Sequence, residues 1–269
     1  MHKLIVGAIV ALALLGLPAA ALASAAGTAK GVDPAADAIA GNQTRTLVVG
    51  ADINIGDLIK TGPKGQVEIL FSDNTKLVVG PNSNLKIEDY LLRGNGTASK
   101  VAVDMLAGTF RFITGNSPKS AYLIDTPTGT IGVRGTEFDV YVDSDGVVHI
   151  IEYDGTSIFC DEHGDVCKEL SNLCEIGQIN ADGTAVVGNL NDITGEEREA
   201  LKQYFHYSLD ESSLDREFRI PHAFECTHKA PNVSVPQSLG TTGYGQPDCG
   251  YSGLISNSLV QPFEEGCTD

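Results

Sequence analysis

Residues 126–146 read TPTGTIGVRGTEFDVYVDSDG, a stretch that could be an active-site loop or a kinked strand in a β-architecture. Pro127 and Gly129 end one strand, and Gly132 allows a bulge or a close backbone approach. Arg134 and Gly135 then re-aim the chain before an alternating run, Glu137 to Val142. That run places Phe138, Val140 and Val142 on one face of a strand and Glu137 and Asp139 on the other. Arg134 is expected to tie down backbone carbonyls or a carboxylate. The closing Asp143-Ser144-Asp145-Gly146 lacks the later Gly and Glu of a calcium loop, so a hairpin turn is the better account.

Working outward, the same pattern fills residues 46–180. Short runs such as QVEILF (66–71), TKLVVG (75–80), GTFRFI (108–113) and VVHIIEY (147–153) are rich in branched and aromatic residues. Turn sequences separate them, including TGPKG, SDNT, GPNSN and RGNG, and no helical periodicity intervenes. An all-β domain, sandwich or barrel-like, follows. Val67, Ile69 and Phe71 share one core-facing side, as do Phe110 and Phe112, while Glu68, Arg111, Glu137 and Asp139 alternate outward. Each buried aromatic or branched side chain contributes about 1.5–3 kcal/mol.

The flanks differ. Residues 1–25 combine a basic start, a short apolar run and small residues, which is the pattern of a signal peptide. The apolar run is too short for a membrane span, so an exported, soluble mature chain is expected. Residues 26–45 read as a flexible lead-in. Residues 190–217 suggest one amphipathic helix capped by Thr194, with Leu201, Tyr204, Phe205 and Tyr207 on its apolar side. Residues 218–269 read as an irregular, Cys-containing tail.

A formal charge of −17 argues against nucleic acid and against anionic lipid as partners. The cysteines are Cys160, Cys167, Cys174, Cys226, Cys249 and Cys267. In an oxidising compartment this even number suggests disulfides, with Cys160 and Cys167 stapling a hairpin and Cys174 reaching a tail cysteine. The competing reading makes Cys160, His163, Cys167 and Cys174 a metal site. No metal or other cofactor is expected. Nor is a conventional enzyme: a G-x-S-x-G elbow is missing, the histidines lack a partner at a telling spacing, and Asp125-Thr126-Pro127 has Pro where an aspartic protease has Gly.

Together these pieces resemble a known family. TPTGTIGVRGTEFDV looks like the signature of the FecR domain, the periplasmic part of FecR-type regulators. GDLIKTGPKGQVEILFSDNTKLVVGPNSNLKI (56–87), MLAGTFRF (105–112), VHIIEYDGTSI (148–158) and EIGQI (175–179) match other parts of that family, in order. The resemblance implies an all-β, protein-binding domain that receives a signal in the periplasm and relays it toward a sigma factor. In some such regulators the chain cleaves itself at a Gly-Thr bond, which here would be Gly135-Thr136. The departures are a signal peptide in place of a cytoplasmic segment, Asn74 for a turn Gly, a closing hairpin one residue longer, and the cysteines and tail.

The expected role is therefore an exported, non-catalytic module, periplasmic or secreted, that binds a protein or polysaccharide of the bacterial envelope. The alternatives are a disulfide-stapled structural component, or a signalling protein that cleaves itself. Thr126, Pro127, Gly129, Gly132, Arg134, Gly135 and Thr136 are expected to matter as a conformational signature.

Overall fold

The computed structural model describes residues 25–190, 196, 199 and 202–227; residues 1–24 of the expected signal peptide and the cysteines at 249 and 267 lie outside them. The strands, in chain order, begin with β1 (Ala25–Asp33), β2 (Ala36–Ala40), β3 (Gln43–Thr46), β4 (Asp52–Asn54), β5 (Leu58–Thr61) and β6 (Gln66–Phe71). They continue with β7 (Lys76–Val79), β8 (Asn84–Leu92), β9 (Ala98–Ile113), β10 (Tyr122–Thr126), β11 (Gly129–Val133) and β12 (Glu137–Val142). The last are β13 (Val148–Asp154), β14 (Ser157–Asp161), β15 (Cys167–Leu170), β16 (Glu175–Ile179) and β17 (Ala185–Asn189).

All are linked by hydrogen bonds into one network, which β9 divides into two sheets. The first sheet runs β4-β1-β6-β7-β9-β12-β13-β16-β17 and is antiparallel throughout. The second runs β3-β2-β5-β8-β9-β10-β11-β14-β15 and contains one parallel pair, β9 with β10. The 16-residue β9 changes sheet at Ala107 and Gly108. Gly108 has a φ of +97° there, and a Cβ on it would stand 2.5 Å from the Ser83 backbone. A side chain at this corner would meet both a strained backbone and a clash.

Inward residues of both sheets share one core, as the alternation predicts. Phe71 of the first sheet stacks on Tyr90 of the second at 5.6 Å, and Phe112 meets Tyr122 edge-on at 5.9 Å. The result is the expected all-β sandwich, antiparallel but for the β9–β10 pair. Asn74, in the β6–β7 hairpin, has a φ of +66°, the left-handed conformation that Asn tolerates.

Three expectations are overturned. Residues 26–45 are not a loose lead-in: β1 runs beside β6 and β2 beside β5, with Ala26, Ala29 and Ala38 buried in the core. Small residues let these strands pack close, so a low-hydropathy segment still supplies two inner strands. The single helix over 190–217 is broken instead. Residues 196, 199 and 202 are helical, but a turn precedes the short helix His206–Leu209 and a 3-10 turn follows at Arg216–Phe218. Asp210 accepts the Ser212 N–H at 2.8 Å, a local bond that competes with helix continuation. Thr194 and Leu201 lie outside the described residues.

The third correction concerns the residues that alternate away from the sandwich core. Glu68, Arg111 and Asp139 are buried rather than solvated. Residues 203–227 form a strap across the outer face of the first sheet. Tyr207, Leu214 and Phe218 pack on Val78. Phe205, Ile220, Ala223 and Cys226 pack with Ile113, Ile151, Tyr153 and Cys174. Both faces of this sheet are therefore covered, which is why β13 is buried from Val148 to Tyr153 without alternation.

Candidate functional site

The signature stretch forms the β10–β11 hairpin and the entry into β12. Pro127 and Thr128 make a two-residue turn between the paired Thr126 and Gly129, and the Thr126 hydroxyl donates to the Gly129 carbonyl at 2.6 Å. Gly129 is required by close approach: a Cβ there would stand 2.1 Å from the Cys160 carbonyl oxygen on β14. Gly132 is not, since its Cβ would come no nearer than 3.6 Å to anything. The Thr128 hydroxyl donates to the Gly146 carbonyl at 3.0 Å and so joins this turn to the Asp143–Gly146 turn. In that second turn Asp143 accepts the N–H groups of Asp145 and Val147, both at 2.9 Å, as hairpin chemistry predicts.

Arg134 differs from expectation. Its side chain is 58% exposed and, among the described residues, forms an ion pair with Glu169 at 4.0 Å, so it contributes little to holding the fold. The chain is re-aimed instead by Gly135, at φ +76°, and by Thr136, which is buried. Thr114 holds it in place: its hydroxyl accepts the Thr136 N–H at 2.9 Å, and its own N–H and hydroxyl both donate to the Thr136 carbonyl at 3.1 Å.

The Thr136 hydroxyl donates to one oxygen of Glu152 on β13, and the Ser157 hydroxyl donates to the other at 2.6 Å. Glu152 is fully buried. Burial is the main cause that pushes its carboxyl up to about 8; the Ser157 hydrogen bond opposes this, while Asp154, Glu175 and Glu137 add to it. The signature thus converges on an acid held close to neutral at physiological pH, flanked by two hydroxyls.

Two other polar centres went unseen in the sequence. Asp73 is buried and accepts from Thr75, Tyr122 and Ser117, which ties the β6–β7 hairpin to the start of β10. Arg111 is fully buried between the rings of Tyr153 and Tyr207, 5.6 and 5.5 Å from their centroids. It binds Asp139 with two hydrogen bonds and reaches Glu211 of the strap with a third. The sequence signal for both was slight: Asp73 reads as an ordinary turn residue, and Arg111 as an outward residue of an alternating strand.

Cys160 pairs with Cys167 across β14 and β15, and Cys174 with Cys226 of the strap. The metal reading of Cys160, His163, Cys167 and Cys174 gives way to these two bonds, which occupy its three sulfurs. Two disulfides fit an oxidising, extracytoplasmic compartment. Among the described residues no helix is long and apolar enough to cross a membrane.

Residues 57–156, from the turn before β5 to the turn before β14, match the family described as FecR protein. The matched segment covers about a third of the chain. It takes in the signature hairpin, Asp73, Arg111, Asp139 and the Thr136–Glu152 pair, and leaves β1–β4, β14–β17 and the strap outside the matched span. Two crystal structures of a "putative anti-sigma factor" from Parabacteroides distasonis ATCC 8503, at 1.65 and 2.50 Å resolution, are similar to the chain. Each has a TM-score of 0.40 and 15% identity, over 49% of this chain and 59% of that one. The chain thus spans less than two thirds of that protein's length. No curated protein matches the chain.

Proposed function

We propose that the chain is a non-catalytic recognition module of the bacterial envelope, acting in envelope signalling by binding a protein or polysaccharide outside the cytoplasm. The observation that carries this reading is the use to which the FecR signature is put. Gly129, Gly135 and Thr136 serve close packing, a turn and a buried polar cluster.

The edge strand β17 supports the reading further. β17 pairs only with β16 among the described residues, and Val186 and Val187 are 52% and 41% exposed. Such an edge can accept an added strand from a partner. The test is capture from an envelope extract with the full chain and with a Val186→Lys, Val187→Lys variant. A reproducible partner that the variant loses is expected. The absence of any partner would sink the reading.

Self-cleavage at Gly135-Thr136 is the second reading, favoured by one observation: the Thr136 hydroxyl lies against the Glu152 carboxyl. In such a reaction, which needs the ionised form of Glu152 and is therefore favoured above about pH 8, the hydroxyl oxygen attacks the Gly135 carbonyl carbon and its proton passes through the carboxylate to the peptide nitrogen. The peptide nitrogen leaves as an amine, and water then hydrolyses the ester. Intact mass of the purified chain distinguishes the two readings. A single uncut species is expected, and two fragments meeting at Gly135-Thr136, absent in Thr136→Ala, would establish the alternative.

A further inference from the structure

His149 stands on β13 between Tyr141 of β12 and Gln178 of β16, its partners in register. It alternates with Val148 and Ile150, which fill the sandwich core, and its ring lies under the strap. There it stacks on Tyr204, with centroids 4.1 Å and planes 11° apart. Tyr204 also stacks on Tyr141 at 5.3 Å, so one strap residue covers both rings. Only 7% of His149 is exposed, and its Nε2 is buried with no hydrogen-bond partner among the described residues.

A buried nitrogen without a partner is rare and asks for an explanation. A neutral imidazole can leave Nε2 as a bare lone pair, whereas an imidazolium must donate from it. Nothing is placed to take that donation. Asp143 Oδ2, in the β12–β13 turn, is 3.8 Å away, beyond hydrogen-bond reach. Asp143 is also held where it is, because its Oδ1 accepts the N–H groups of Asp145 and Val147. Toward β16 and β17 the ring borders a cleft of about 180 Å³, lined by Ile176, Val186, Val187 and Phe205 with Gln178 as a neutral polar neighbour. The charged group acting on the ring is thus Asp143, and the other titratable neighbours, Tyr141 and Tyr204, present ring faces. Burial is the main cause that holds the imidazole below its ordinary value of 6.5, against the pull of Asp143.

We propose that His149 and Tyr204 form an acid-sensitive latch: a proton on Nε2 releases the leading end of the strap, which stays tethered at Cys226, and uncovers the Tyr141–His149 patch beside β16 and β17. A charged ring needs water or an acceptor, and lifting Tyr204 supplies water. Closure favours the neutral ring, so it is complete above about pH 6.5 and is lost as pH falls below that value. Glu152 acts in the opposite sense, since its raised carboxyl favours the fold in acid. Opening of the strap is therefore separable from general unfolding, and it does not depend on partner binding through β17.

The test is NMR on the full chain, with the His149 and Tyr204 rings assigned through bonds to their backbones. The His149 ring is expected to titrate below 6.5 in the wild type and to move toward 6.5 in Tyr204→Ala. NOEs between the two rings are expected at about pH 7.5 and should fall at least about tenfold by about pH 5. NOEs between Phe71 and Tyr90, inside the core, should persist at both. His149→Phe keeps a flat ring under Tyr204 that takes no proton, and its NOEs to Tyr204 should survive acid. A midpoint at or above 6.5 would mean that Asp143 and the Tyr204 face hold the cation in place, and would overturn the latch. NOEs that persist in acid in the wild type, or that vanish equally in His149→Phe, would overturn it too. The wild-type midpoint and NOEs decide by themselves if His149→Phe does not fold.

Discussion

Arg111 donates from Nε and Nη2 to the two carboxylate oxygens of Asp139, at 2.7 and 2.9 Å, with both side chains fully buried. The two residues face each other on adjacent strands, β9 and β12, and Tyr153 donates to Asp139 at 2.8 Å. Removing Asp139 leaves the buried Arg111 with Glu211 as its remaining carboxylate partner, whereas an apolar pair of similar volume leaves only Glu211, which is partly exposed. Asp139→Asn is therefore expected to cost about 3–5 kcal/mol in urea unfolding. The double variant Arg111→Met, Asp139→Leu should be markedly less destabilised than the single one. Equal loss in both would show that the pair does not act through its charge.

The strap is held covalently as well as by Glu211. The Cys174–Cys226 bond closes a segment of 52 residues. Loop-closure entropy for that length corresponds to about 4 kcal/mol. Replacing both cysteines by Ser is expected to lower stability by a few kcal/mol and to raise amide exchange along β13, which the strap covers. Exchange in β8, on the other sheet, should change far less.

Stability should depend on pH through Glu152. Its carboxyl is ordinarily near 4.5 and is raised to about 8 in the fold. A raised acid favours the folded state fully at low pH, and that advantage is lost as pH climbs from about 4.5 through about 8. The loss is at most about 5 kcal/mol, from the size of the shift. Glu152→Gln keeps a neutral group beside Thr136 and Ser157 and should flatten this part of the profile, as followed by melting temperature against pH.

The two signature glycines should separate cleanly. Gly129→Ala forces a Cβ onto the Cys160 carbonyl oxygen and is expected to cost more than about 2 kcal/mol. Gly132→Ala makes an ordinary van der Waals contact at 3.6 Å and should fall within about 1 kcal/mol of wild type. A reversed order in thermal melts would contradict the close-packing role of Gly129.

The sequence by itself determined what depends on neighbours along the chain. Alternation set the inward faces of β6, β9 and β12, and turn residues set the hairpins. Asn74 carried its left-handed turn, and the short spacing of Cys160 and Cys167 announced a staple. Only the tertiary structure decided the outer face of the first sheet. Arg111 and Glu68 carry the polar signature of solvated strand positions, yet a strap 100 to 147 residues further on covers them, with Glu211 bonded to Arg111 and the Asp215 N–H to Glu68 at 2.8 Å. The same holds for β1 and β2, whose small residues carry no strand signal until the core they fill exists. It holds for Asp57 as well: a turn carboxylate in the sequence, it acquires a buried, unpartnered oxygen only when β3 folds against it. Periodicity reports which side of a strand a residue occupies. What lies against that side is set by contacts between distant segments, which no local pattern records.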